Sequence, residues 1–225
     1  MTEMPNPDDY IITRKRKLYK FALFQIMTNC YDDQSWGEAK SKIVTKSPLI
    51  TEVGAGSGLF LTKLASLHPD RCYLAIDRKS DRLVQGAKKA ATDKVVNINY
   101  LWSNADNLGR LLPAGCADEI WLTFPDPWPQ ESNYRKRLTA PKYLSQYEKL
   151  LVADGVLRFK TDNKELFDWS KEQLATNGYK VVFSTDDLHG DNRLATDNDA
   201  LVMTSYEARY IKEGKKICYL VAKAN

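Results

Sequence analysis

Two stretches of this sequence hold residue types at spacings that could do chemistry. The first is Glu52-Val53-Gly54-Ala55-Gly56-Ser57-Gly58, with glycines at alternate positions. Glycine tolerates left-handed backbone and carries no Cβ, so such a run can turn tightly and let a ligand approach the main chain. Dinucleotide-binding turns read G-x-G-x-x-G. Here the spacing is G-x-G-x-G, which suits a nucleoside ligand with no pyrophosphate to cradle. The second stretch is Phe124-Pro125-Asp126-Pro127-Trp128-Pro129. Its alternating prolines fix φ and remove amide donors, so Asp126 stands on a stiff elbow. A rigid carboxylate beside an aromatic ring suits recognition of a flat nitrogenous base. Between the two lie Asp77, which can accept both ribose hydroxyls of a nucleoside, and Asn104, which can meet an adenine edge unless Asp106 takes that part.

The elements read from apolar periodicity must bring these residues together. Strands are expected over 48–53, 72–76, 97–101, 119–123 and 155–160, and helices over 59–67, 80–91, 141–152 and 165–177, with strands over 179–184 and 216–222 closing the chain. Strand and helix in alternation imply an α/β domain, its mostly parallel sheet covered by helices on both faces. Ligands of such sheets bind beyond the carboxyl ends of the strands, and every residue named above stands at a strand end. With 225 residues, 43% hydrophobic and 28% charged, the chain suits one substantial core. Residues 1–30 are expected to form a basic N-terminal arm and residues 31–225 a single domain. The acidic, glycine-bearing stretch 186–199 reads as a long excursion before the last strand.

Four scattered cysteines and two histidines leave no pattern for a structural zinc or a disulfide framework, so no metal is expected. No apolar run approaches the roughly 20 residues of a membrane span. A cytoplasmic protein without a membrane partner is expected, as a monomer or homodimer. The net charge is only +4, but cations cluster at Arg14-Lys15-Arg16-Lys17 with Lys20 and again at Arg135-Lys136-Arg137. Such patches are what a polyanion would meet.

The proline elbow, continued by Asn133-Tyr134-Arg135-Lys136-Arg137, by Lys160-Thr161-Asp162-Asn163 and by Thr204-Ser205-Tyr206-Glu207, resembles the bacterial tRNA (guanine-N7)-methyltransferase family over roughly residues 50–221. The resemblance implies a Rossmann-like class I S-adenosylmethionine-dependent methyltransferase fold, with a mostly parallel seven-stranded sheet and an antiparallel last strand. It implies S-adenosylmethionine as cofactor, S-adenosylhomocysteine as its product, and tRNA as partner. The methyl acceptor would be N7 of a guanine, the one numbered 46 in the variable loop. Glu52, Gly54, Gly56, Gly58, Asp77, Asn104 and Asp126 fall at cofactor positions, and Asp126 also at that of the active-site acid. Gln130, Asp162, Thr204, Ser205, Tyr206 and Glu207 fall at substrate positions, with Gln130 in place of the family's usual lysine and Asn104 in place of a frequent aspartate. Arg135, Lys136 and Arg137 are the expected phosphate contacts, and Arg14 to Lys20 a mobile basic arm.

Guanine N7 has an in-plane lone pair and no proton, so positioning would do most of the catalysis. Asp126 or Asp162 could stabilise the positive charge that develops on the ring. Asp162 could instead cap the helix beginning near Asn163, and Glu207 could be a strand-end charge. Two other readings compete: a nicotinamide-dependent oxidoreductase, opposed by the glycine spacing, and a non-catalytic RNA-binding protein on a degenerate methyltransferase fold, opposed by Asp77 together with Asp126.

Overall fold

The runs Leu49–Val53 (β2) and Cys72–Asp77 (β3) are buried almost throughout, as parallel strands covered on both faces must be. In a computed structural model, which describes residues 15–194 and 197–224, they lie inside an eight-stranded sheet. Three elements precede them: helix α1 (Lys15–Ile26), the short strand β1 (Cys30–Asp32) and helix α2 (Trp36–Val44). Alternation continues through α3 (Leu59–Leu67), α4 (Ser80–Asp93), β4 (Ile98–Trp102), α5 (Leu108–Leu111), β5 (Ala117–Thr123), α6 (Pro141–Leu150), β6 (Leu151–Thr161), α7 (Lys164–Thr176) and β7 (Tyr179–Thr185). The excursion carries α8 (Asn198–Leu201) and α9 (Ser205–Lys212) before β8 (Cys218–Ala224).

Strand order is β1-β4-β3-β2-β5-β6-β8-β7, parallel except that β8 runs antiparallel to both of its neighbours. The fold is therefore the expected mostly parallel one with an antiparallel last strand, widened from seven strands to eight by β1 beside β4. Three residues are too few to show a period, which is why β1 left no trace in the sequence. Side chains alternate across β2 and β3. Leu49, Val53, Leu74 and Ile76 enter the core beneath α2, α5, α6 and α7, whereas Ile50, Tyr73 and Ala75 enter the one beneath α1, α3 and α4.

The segment expected as an arm begins, in its described part, as α1, which lies against α4 and buries Phe21, Ala22 and Phe24. Residues 1–14, including Arg14, lie outside the described residues. The excursion is tied back to the body, since Asp199 pairs with His68 at 2.6 Å and Arg71 at 2.8 Å, and Asp197 with Arg158 at 2.7 Å. Chain order reverses between β2 and β5, which are adjacent although two strands separate them in sequence. A crevice at their carboxyl ends is the place such a sheet offers a ligand.

Candidate active site

The glycine run leaves β2 and folds straight into α3. Gly54, Gly56 and Gly58 all have positive φ, at 76°, 56° and 68°. At Gly58 a Cβ would stand 2.8 Å from Tyr100 Cε1, so both conformation and space require glycine there. Gly56 instead faces open space, with nothing within 4 Å of where its Cβ would be. Its amide donates to Asp77 Oδ2 at 2.8 Å, while Lys79 N–H donates to Oδ1 at 2.8 Å. The Asp77 carboxylate is thereby held beside the glycine turn. Burial raises its pKa, an effect the two amides partly offset.

Glu52 is fully buried at the floor of the same turn. Thr123 Oγ1 donates to its Oε1, and its Oε2 has no partner. Burial pushes this carboxyl up to about 8, against the Thr123 bond and with a further push from Asp77. A buried carboxylate oxygen without a donor is costly unless a ligand supplies one. Because Glu52 lines the cleft, the donor set it fits is a cationic amine such as an amino acid ammonium, while Asp77 fits ribose hydroxyls. Asn104 caps the 3-10 turn 105–107, accepting from Asp106 N–H at 3.2 Å, and both residues line the cleft. Lys142 bonds Asp106 at 2.5 Å and holds its carboxyl below the usual range.

The proline elbow lines the same cleft. Phe124 and Trp128 adopt left-handed backbone, φ 47° and 42°, a conformation that is strained for bulky residues and concentrates at functional sites. Between them Asp126 projects into the cleft mouth with its side chain 73% exposed, 3.9 Å from Arg78. Asp162 lines the same cleft. Asn163, not Asp162, caps α7 by accepting from Leu166 N–H at 2.7 Å, and Asp162 pairs with Lys215 at 3.2 Å.

Thr204 and Glu207 form a reciprocal capping box at the start of α9. Thr204 and Tyr206 line the cleft, and Ser205 opens the helix. Glu207 was expected at a substrate position; here it is wholly buried, does not line the cleft, and stands in the first turn of a helix, not at a strand end. Its carboxylate meets His189 Nε2 at 2.7 Å and the equally buried Lys160 Nζ at 3.3 Å. Lys160 also donates to Val202 O at 3.1 Å, and its burial lowers its pKa against the opposing pull of Glu207.

Of the basic triplet, Arg135 and Lys136 are exposed and line the cleft, Lys136 lying over the Trp128 ring at 4.8 Å. Arg137, expected with them as a phosphate contact, has its side chain 1% exposed and turned inward. Gln130, expected at a substrate position, is exposed, accepts from Asn133 Nδ2 at 3.1 Å and does not line the cleft. Residues not anticipated from sequence include Lys160, Tyr210 and the cations Arg78, Lys79 and Arg82, of which all but Lys160 line the cleft. The position of Arg78 directly after Asp77 was the available signal for that basic rim.

One cleft of about 960 Å³ thus joins Glu52, Asp77 and the glycine turn with Asp126, Asp162, Tyr206 and Tyr210. It has room for a nucleoside ligand and a base together. Residues 46–220 match a family described as "Putative methyltransferase". Similar sequences include a tRNA (guanine-N(7)-)-methyltransferase of Mesomycoplasma hyopneumoniae, 39% identical over 77% of this chain and 84% of that protein. One of the same name from Lachnoclostridium phytofermentans is 33% identical over 84% of this chain and 87% of that one. Among solved structures, an antibiotic-related methyltransferase superposes with a TM-score of 0.65 at 18% identity, covering 89% of this chain and 99% of that one. The 16S rRNA methyltransferase KamB does so at 0.61 and 18% identity, covering 86% and 94%. These likenesses bear on the fold, a class I methyltransferase fold.

Proposed function

The chain belongs to the bacterial tRNA (guanine-N7)-methyltransferase family, and from that premise we propose that it methylates N7 of a guanine in tRNA, the one numbered 46 in the variable loop, using S-adenosylmethionine. The observation that carries this reading is the joining, in one cleft, of the Glu52–Asp77 glycine turn with the strained Asp126 elbow and Asp162. Bound S-adenosylmethionine supplies an electrophilic sulfonium methyl group. Glu52 would take its ammonium, and Asp77 its ribose hydroxyls. Asn104 or Asp106 would meet the adenine edge.

Guanine N7 needs no base to attack such a carbon, and the cleft accordingly offers carboxylates that orient and compensate charge instead of a histidine. The purine ring becomes cationic as the methyl group arrives, and Asp126 and Asp162, which line the cleft, are the acidic groups that would compensate it. Tyr206 and Tyr210 offer aromatic faces for an unstacked base, and Arg135 and Lys136 offer cations for flanking phosphates. No described helix is long and apolar enough to cross a membrane, and tRNA would be met in the cytoplasm.

Incubation of the protein with unmodified tRNA and methyl-labelled cofactor, followed by borohydride and aniline treatment, tests the assignment. Strand cleavage in the variable loop is expected. Labelled tRNA that resists cleavage would remove the N7 assignment, and cleavage elsewhere would move the target guanine.

A further inference from the structure

We propose that Arg137 is a positioning residue for Asp126, fixing from inside the molecule the elbow that carries that carboxylate, and is not a contact for tRNA. The inference rests on the reading of Asp126 as the active-site acid.

Backbone support for the elbow is sparse. Phe124 N–H donates to Lys160 O at 2.9 Å, but Pro125, Pro127 and Pro129 have no N–H to give. Phe124 and Trp128 nevertheless hold positive φ, which persists only where the surroundings over-determine it. Arg137 provides that determination. Its Nε donates to Pro127 O at 2.8 Å and its Nη2 to Trp128 O at 3.3 Å, the carbonyls of the two residues after Asp126. The same Nη2 donates to Glu165 Oε1 at 3.1 Å.

The guanidinium lies 3.5 Å from the centre of the Tyr134 ring and 4.7 Å from that of Trp169. Glu165 and Trp169 belong to α7, the helix that begins just after Asp162. One buried side chain therefore ties the Asp126 elbow to the helix that follows Asp162, and so fixes the elbow against the element next to the second carboxylate. A guanidinium suits this work because it is flat, donates in several directions at once and stacks on rings. An ammonium would keep the charge but lose the fork.

The test compares Arg137→Lys with Arg137→Gln and Arg135→Gln. Arg137→Lys is expected to lower kcat for methyl transfer about a hundredfold, the order that misplacing a catalytic group by about 1 Å costs. KM for tRNA, the salt dependence of tRNA binding and the affinity for S-adenosylhomocysteine are expected to stay as in the parent. Amide exchange at Phe124, whose N–H donates to Lys160 O where the elbow begins, is expected to accelerate in both Arg137 variants and not in Arg135→Gln. Near-parental kcat in Arg137→Lys, or a weaker salt dependence in Arg137→Gln matching that of Arg135→Gln, would overturn the proposal in favour of a phosphate contact. Unchanged exchange at the elbow would overturn it whatever the rates. If Asp126→Ala keeps parental activity, the reading of Asp126 fails separately, and the exchange measurement still decides whether Arg137 holds the elbow.

Discussion

Glu52 shows how a single residue can be costly in the folded chain and still useful. Its carboxyl, ordinarily near 4.5, is pushed up to about 8 by burial. The folded chain then holds a proton that the unfolded chain has already released. Stability from this group is complete below about pH 4.5 and is lost as pH rises through about 8. We expect the melting temperature of the ligand-free protein to fall between pH 5 and pH 8, and Glu52→Gln to flatten that fall; equal slopes in the two proteins would show that another group is responsible. Asp126 is the opposite case, exposed and outside the core. Asp126→Ala should leave the fold in place and reduce methyl transfer by about 10²–10³-fold, as removal of one electrostatic stabiliser does elsewhere, a loss larger than any weakening of S-adenosylhomocysteine binding. Titration calorimetry alongside the transfer assay separates the two effects. Both carboxylates were legible as candidates because each stands at a strand end beside residues with strong backbone preferences. The inward turn of Arg137 was not legible, because three consecutive cations read alike until the chain's path buries one of them.

At the scale of elements, α9 depends on groups far away in sequence. Its capping box is local and was legible in Thr204-Ser205-Tyr206-Glu207, which is the S/T-x-x-E signature of a helix start. What the signature does not disclose is that Glu207 also meets Lys160 of β6 and His189 of the excursion. Thr204→Ala should cost about 1 kcal/mol as the loss of an N-cap. Lys160→Met should cost more, about 3–5 kcal/mol, because it strands a buried carboxylate. A Lys160→Met, Glu207→Leu double variant should recover much of that loss. Urea unfolding measures all three, and a double variant as unstable as Lys160→Met would show that the ion pair is not the source. Because Tyr206 and Tyr210 ride on α9, we expect the Lys160 variant to bind tRNA less well before it unfolds. The elbow and the glycine turn were more legible, since proline and glycine act on the backbone at their own positions.

For the whole molecule, the cleft is rimmed by cations from two separated parts of the chain: Arg78, Lys79 and Arg82 at the β3 to α4 junction, and Arg135 and Lys136 after the elbow. Their common side is the surface a folded polyanion would meet. Neutralising Arg135 and Lys136 together should weaken tRNA binding about equally for any tRNA sequence and lower the slope of log K against log salt by about 2, one per phosphate contact. An unchanged slope, measured by filter binding across a salt series, would place the RNA elsewhere. The sequence by itself determined the alternation of strands and helices, the mostly parallel sheet, the glycine turn and the proline elbow. Those features follow from apolar periodicity and from residues that constrain their own φ and ψ. Only the tertiary structure decided that β1 adds an eighth strand, that Glu207 and Arg137 face inward while Arg78 and Tyr210 face the cleft, and that Lys160 sits beneath it. Where a side chain points, and which distant charge it meets, depends on contacts between residues far apart in the chain, and local pattern carries no record of them.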